Sequence, residues 1–147
     1  MILYIDADGC PVIDIAIDAA KSFGIEVYII CDTSHYFNRN GAITITVSKG
    51  ADSVDFALVN RISKGDLAIT QDYGLAAMCL AKQAYVMHQD GWFYNEKNIN
   101  SLLSTRHFAK KFRLTNSRIK GPSKRTNKNN MDFKENLINF FEKHSTE

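Results

Sequence analysis

Two aspartates one residue apart, Asp6 and Asp8, follow the apolar run Ile2-Leu3-Tyr4-Ile5. Carboxylates this close repel, which raises their pKa values and costs stability unless a cation offsets it. More acids recur where apolar runs end or helices begin. Asp32 follows Ile25-Glu26-Val27-Tyr28-Ile29-Ile30-Cys31, Asp52 and Asp55 lie in Gly50-Ala51-Asp52-Ser53-Val54-Asp55, and Asp72 ends Ile69-Thr70-Gln71-Asp72. All-oxygen donors suit a hard divalent ion that keeps some of its water, Mg²⁺ or Mn²⁺. Asp6 and Asp8 are thus expected to share a metal, directly or through water. Such an ion lowers the pKa of a bound water and stabilises in-line phosphoryl displacement.

Each acid also has a structural explanation. Asp52 can cap a helix with Asp55 three residues on, and Asp72 can cap the next one. Asp8 before Gly9 suits a turn, as does Asp66 after Gly65. Capping does not require several carboxylates at one edge of one sheet, however.

The elements that would position these residues are legible as an alternation. Strands are predicted at 2–6, 25–31, 43–47, 67–70 and 84–87. Helices are predicted over 12–23, with Pro11 in the first turn, over 53–63 and over 72–82. This pattern predicts an α/β fold with a mainly parallel sheet, in which ligands bind at the C-terminal ends of the strands. Asp6, Asp8, Asp32 and Asp72 map to that edge. Asp52 and Asp55 join them if their helix packs against a neighbour of the first strand. A short strand at Trp92-Phe93-Tyr94, helices at 98–112 and 132–143, and a loop at 115–130 complete the reading. One domain over residues 1–147 is expected, with a basic helix, loop and helix from about residue 96. The odd count of three cysteines, without a CxxC pair, fits free thiols. There is no run of 18 apolar residues and no basic flank before the first apolar run, so no membrane partner is expected. The expected location is cytoplasmic.

The net charge of +2 hides an asymmetry. Residues 1–96 hold 6 basic against 12 acidic side chains, whereas residues 97–147 hold 12 against 4. A basic block can be only a solvated face. It also suits a phosphate backbone, whose counterions clustered Lys and Arg displace. An acidic metal pocket repels its own phosphodiester substrate, and a basic arm holding phosphates outside the pocket offsets this. Arg106, Arg118, Lys120, Lys124 and Arg125 are the candidate contacts, with RNA or another phosphodiester as the partner. Tyr36, Phe37 and Trp92 can stack a base or simply pack. Asp32, Ser34 and His35 are further substrate-binding candidates, and His35 can orient substrate or move a proton. A purely structural loop histidine is the alternative. Cys10 is expected to pack.

Several longer motifs occur together: D-A-D-G-C-P-V at 6–12, D-T-S-H at 32–35, G-A-D-S-V-D at 50–55, G-D-L-A-I-T-Q-D-Y-G-L-A-A at 65–77, E-K-N-I at 96–99 and K-G-P at 120–122. In these the chain resembles the YaiI/YqxD family of small bacterial proteins, placed among PIN-like domains. The resemblance covers nearly the whole chain. It implies a three-layer α/β/α PIN-like (Rossmann-like) fold and a metal-dependent nuclease acting on RNA. It carries the acidic positions onto Asp6, Asp52, Asp55 and Asp72 as Mg²⁺ or Mn²⁺ ligands, with Thr70 in the T-x-D pattern as a substrate-side residue. Asp8 is shared with this family rather than with PIN domains at large, and joins the catalytic candidates. Typical PIN domains place a Glu where this chain has Asp52 or Asp55.

Two other functions fit parts of the sequence. A non-catalytic RNA-binding protein would keep the basic arm without turnover. A phosphatase of the haloacid dehalogenase type would use Asp6 as nucleophile in D-A-D-G, but its late acid, Asp66, precedes a strand and so falls at the wrong edge.

Overall fold

The computed structural model describes residues 1–105 and 124–144. The described chain runs β1 (Ile2–Asp6), α1 (Ile13–Ser22), β2 (Glu26–Asp32), β3 (Ile43–Val47), α2 (Ser53–Arg61), β4 (Leu67–Ile69), α3 (Tyr73–Ala81) and β5 (Tyr85–Met87). Helix α4 covers residues 96–105 of the described chain, and α5 is Asn127–His144. The five strands form one sheet in the order β3-β2-β1-β4-β5, and every pairing is parallel.

The parallel α/β fold is the one the alternation predicted, and its three α/β/α layers are those the resemblance implied. Successive residues of a strand face opposite sides of the sheet, so β1 feeds two cores. Leu3, Ile5 and Ala7 pack with Ile13, Ala16, Ile17 and Ala20 of α1 and with Phe133, Leu137, Phe140 and Phe141 of α5. Tyr4 packs on the other side with Val54 and Leu58 of α2, with Leu75, Ala76 and Cys79 of α3, and with Ile99 of α4. The helix faces that carry these apolar residues, spaced three and four apart on α1 and α5, are the faces that are buried.

The strand order reverses at β1. β1 and β4 lead into α1 and α3, which pack on opposite faces of the sheet, so a crevice opens where the C-terminal ends of the strands meet. Asp66 lies at the other end of the sheet. Its two carboxylate oxygens accept from the backbone N–H groups of Ile2 and Ser63, both at 3.0 Å. It is a structural acid holding the strand starts, and it cannot serve as the late acid of a phosphatase site.

Several boundaries differ from expectation, each for a local reason. Pro11 stands ahead of the N-cap position, Val12, rather than in the first turn of α1. Trp92-Phe93-Tyr94 form no strand; a single antiparallel bridge joins Phe93 to Met87, closing the tight turn where Gly91 N–H donates to His88 O at 2.9 Å. Two helices begin earlier than predicted because polar caps start them. Asn95 Oδ1 accepts from Lys97 and Asn98 N–H groups while Asn98 Oδ1 accepts from Asn95 N–H. Asn129 Oδ1 likewise accepts from Thr126 N–H, and Asn129 N–H donates back to Thr126 O. These reciprocal boxes satisfy end donors that a helix cannot satisfy itself. They also place 127–130, read from the sequence as loop, inside α5. Residues 124–126 of the predicted loop are irregular, as expected, while 115–123 and the end of the 98–112 helix lie outside the described residues. No described helix is long and apolar enough to cross a membrane.

Candidate functional site

The crevice at the reversal point has a volume of about 270 Å³ and is lined by Asp6, Asp8, Asp32, Asp52, Asp55 and Asp72, with Gln71 between them. The acids come from four separate segments: the end of β1 and its loop, the end of β2, the start of α2 and the start of α3. α2 packs across β1 and β2, which brings Asp52 and Asp55 to the crevice.

On the β4 side, Asp6 is fixed by hydrogen bonds. The Thr70 hydroxyl donates to Asp6 Oδ2 at 2.7 Å and accepts from Asp72 N–H at 3.0 Å. Thr70 itself is buried and is anchored by its own backbone. Its N–H donates to Met87 O, and the buried Tyr94 hydroxyl donates to Thr70 O at 3.2 Å. Asp72 caps α3, with Oδ1 accepting from Gly74 and Leu75 N–H groups. Burial pushes the Asp6 carboxyl from 3.8 up to about 6; Asp55, Asp72 and Asp8 add to the rise, and the Thr70 hydrogen bond opposes it. Asp6 is therefore a carboxylate whose charge is poorly compensated in the absence of a cation.

On the β2 side the contacts are looser. Asp32 accepts from Ser34 N–H at 2.7 Å, and this bond holds its carboxyl below the usual range. His35 N–H donates to Asp32 O at 3.3 Å, which folds the Asp32-Thr33-Ser34-His35 turn back over the strand end. The His35 ring then meets Asp8, not Asp32 alone: Nδ1 lies 2.9 Å from Asp8 Oδ1. Yet Asp8 Oδ1 is itself out of solvent contact and receives no hydrogen bond, although the Asp8 side chain as a whole is 30% exposed.

At the start of α2, Asp52 occupies the N-cap position but makes no side-chain cap bond, and its φ is +62°. Aspartate tolerates this left-handed conformation better than most residues. The capping explanation thus holds for Asp72 and fails for the Asp52 side chain. Gly9 has φ +72°, and a Cβ there would come within 3.2 Å of Gln71 Nε2, so the loop carrying Asp8 depends on a glycine.

The donor types fit a divalent cation, and Asp8 Oδ1, out of solvent contact with no hydrogen-bond donor on it, is an oxygen suited to an ion. Spacing adds a distinction. Among the described residues, Asp8, Asp32 and His35 alone form a trio whose donor atoms all lie within 4.8 Å of one another. No three of Asp6, Asp52, Asp55 and Asp72 come that close, so an ion among them would reach some through its waters, as Mg²⁺ commonly does.

The basic candidates divide. Arg106, Arg118 and Lys120 lie outside the described residues. Arg125 is held by the protein itself: it donates to Asp90 Oδ1 at 2.6 Å, Gln89 O at 2.7 Å and Asn130 Oδ1 at 2.8 Å. It ties the start of α5 to the turn after β5. Lys124 is exposed and lines a neighbouring cavity of about 360 Å³ with Gln71, Tyr73, His88 and Arg125. Gln71 is common to both cavities. Ser34 is exposed and reaches the site through its backbone. Tyr36 is exposed, whereas Trp92 stacks on His88 with ring centres 4.4 Å apart. Burial pushes the Cys10 thiol up to about 11, which suits packing rather than nucleophilic chemistry.

Sequence reasoning missed Tyr94 and Gln71. Tyr94 is an aromatic 24 residues from the threonine it anchors, and no local signal connects them. Gln71 stood inside the quoted Thr70-Gln71-Asp72, and its place between two acid-bearing positions was the available clue.

A three-layer α/β/α protein with a carboxylate crevice at its switch point is the class that fold and site define. Comparison with known proteins narrows this. A family model described as "Uncharacterized BCR, YaiI/YqxD family" matches residues 4–143. The chain is 48% identical over 137 residues to a UPF0178 protein of Exiguobacterium sibiricum, covering 93% of this chain and 94% of that one. It is 45% identical over 135 residues to a UPF0178 protein of Clostridium acetobutylicum, covering 90% and 91%. A UPF0178 protein of Natranaerobius thermophilus is 44% identical over 138 residues, covering 94% and 93%. This chain belongs to the YaiI/YqxD family. No solved structure matches it.

Proposed function

We propose that this protein is a divalent-metal-dependent phosphodiesterase acting on RNA, with Asp6, Asp52, Asp55 and Asp72 holding Mg²⁺ or Mn²⁺ directly or through water. The observation that carries this reading is the convergence of six aspartates on one crevice. Caps and turns account for Asp72, for Asp32 and for the backbone position of Asp8, but not for Asp6 and Asp52 beside them. The ion would supply a water of lowered pKa and stabilise charge on the phosphoryl group.

The remaining work falls to the chain. Asp6, fixed by Thr70 and raised to about 6 when no ion is present, is the carboxylate that gains most from a neighbouring cation. Gln71 and Lys124, on the wall toward the next cavity, meet the substrate where the acidic lining ends. Lys124 offers a cation to a flanking phosphate, and Arg125 keeps that wall in place by its three hydrogen bonds. A phosphatase using Asp6 is disfavoured, because Asp66 is committed at the opposite edge of the sheet.

The test is calorimetric titration of Mn²⁺ into wild type and into Asp6→Asn/Asp72→Asn, with and without a single-stranded RNA oligonucleotide, followed by a cleavage assay. Asparagine retains the capping ability of Asp72 and can still accept from Thr70. Metal-dependent cleavage lost in the double variant supports the proposal. RNA binding with no turnover under any divalent ion would overturn it in favour of a non-catalytic RNA-binding protein.

A further inference from the structure

We infer that Asp8, Asp32 and His35 form a second cation site, distinct from the Asp6 side of the crevice and selective for ions that accept a nitrogen ligand: Mn²⁺, Co²⁺ or Zn²⁺ rather than Mg²⁺. The inference does not depend on cleavage activity, since it concerns binding alone.

Three observations carry it. The first is donor chemistry. Two carboxylates and one imidazole converge, with one donor atom from each inside a 4.8 Å span. Imidazole suits transition ions and zinc, whereas Mg²⁺ favours oxygen and surrenders its waters reluctantly. The second is the contact between Asp8 and His35. Nδ1 and Oδ1 are 2.9 Å apart, yet Oδ1 is buried and takes no hydrogen bond. A simple ion pair at this distance would direct the N–H at the oxygen. Two donors facing a common third point would not, and ligands bound at about 2.1 Å lie roughly 3 Å apart when cis. The third is how the backbone builds the approach. The Ser34 N–H bond to Asp32 Oδ1 and the His35 N–H bond to Asp32 O bend the turn so that residue 35 returns to the strand end. Cys31, directly before Asp32, also contacts the His35 carbonyl through its thiol. The His35 side chain is 53% exposed and packs only loosely beside Phe37, so core packing does not explain its orientation.

The two sides are therefore separable by substitution. Zn²⁺ is titrated into the full chain, with heat and the histidine ring resonances as readouts. Four proteins are compared: wild type, His35→Ala, Asp8→Asn and Asp6→Asn/Asp72→Asn. His35→Ala assigns the ring signal and carries little folding risk, since the side chain is exposed. Expected is a shift of the His35 resonances on adding Zn²⁺, and affinity weakened by at least about tenfold in His35→Ala and Asp8→Asn. The shift should persist in Asp6→Asn/Asp72→Asn. A Co²⁺ spectrum with nitrogen-ligand character, lost in His35→Ala, is the second readout. Wild-type affinity in His35→Ala overturns the assignment. So does a His35 resonance that Zn²⁺ leaves unmoved, or one that Mg²⁺ shifts equally at the same concentration. Loss of RNA cleavage in Asp6→Asn/Asp72→Asn with Zn²⁺ binding at His35 intact would separate the two sites. The reverse pattern would leave the nuclease reading standing and remove this one.

Discussion

The two flanks of β1 receive the two acids of one D-x-D motif and treat them differently. Toward β4, Asp6 is drawn into a buried, ordered chain: Tyr94 anchors Thr70, Thr70 donates to Asp6, and the same hydroxyl receives Asp72 N–H. Toward β2, Asp8 meets an exposed histidine on a turn, close in distance but without a directed hydrogen bond. The first flank is rigid and electrostatically strained, while the second is open and incompletely bonded. Identical side chains two residues apart thus acquire different chemistry from their neighbours, because desolvation and bonding, not residue type, set the cost of a charge.

The largest expected effect tests whether the strained flank is the reactive one. Asp6→Asn/Asp72→Asn should lower metal-dependent RNA cleavage by about 10³-fold in a single-turnover assay. A loss of similar size in His35→Ala would erase the contrast between the flanks.

The second prediction concerns stability without divalent ions. Burial, with the neighbouring acids, raises the Asp6 carboxyl from 3.8 to about 6, so the folded state holds this proton more tightly than the unfolded state does. The stabilisation from protonated Asp6 is complete below about pH 4 and is lost as pH rises through about 6. In chelator at pH 8, Asp6→Asn should therefore be more stable than wild type, by up to about 3 kcal/mol. The advantage should vanish at pH 4 and shrink when Mn²⁺ is added. Chemical denaturation at the two pH values measures it, and a destabilised Asp6→Asn at pH 8 would show that the flank is not strained.

Thr70→Val sharpens the comparison by removing one hydroxyl of nearly the same shape. It leaves Asp72 N–H and Asp6 Oδ2 without their partner and should cost about 2 kcal/mol. It also removes the one contact that lowers the Asp6 pKa, so carboxyl titration followed by NMR should move upward. The smallest effect belongs to the open flank. His35→Ala should change stability by no more than about 0.5 kcal/mol, measured as a shift in denaturation midpoint; a larger loss would make His35 a structural residue.

The fold was legible because burial periodicity is local. Ile13, Ala16, Ile17 and Ala20 announce the face of α1, and Phe133, Leu137, Phe140 and Phe141 that of α5; all eight are buried. The helix starts at residues 96 and 127 were missed because runs of Asn and Lys read as loop, although Asn95, Asn98, Thr126 and Asn129 form caps. Arg125 shows the limit for the basic block. Composition marks it as a phosphate contact, but Asp90, Gln89 and Asn130 occupy its guanidinium, and those partners become visible only when α5 is placed beside the turn after β5.

The sequence by itself determined the alternation of strands and helices, the faces they bury, and the delivery of Asp6, Asp8, Asp32 and Asp72 to one edge of the sheet. These follow from residue spacing and the two-residue and 3.6-residue periods of the backbone. Only the tertiary structure decided the strand order that sets β1 between β2 and β4. That order pairs Asp6 with Thr70, 64 residues away, and brings His35 to Asp8. Those partners depend on which strands lie adjacent, and the electrostatic character of each carboxylate depends on the partners.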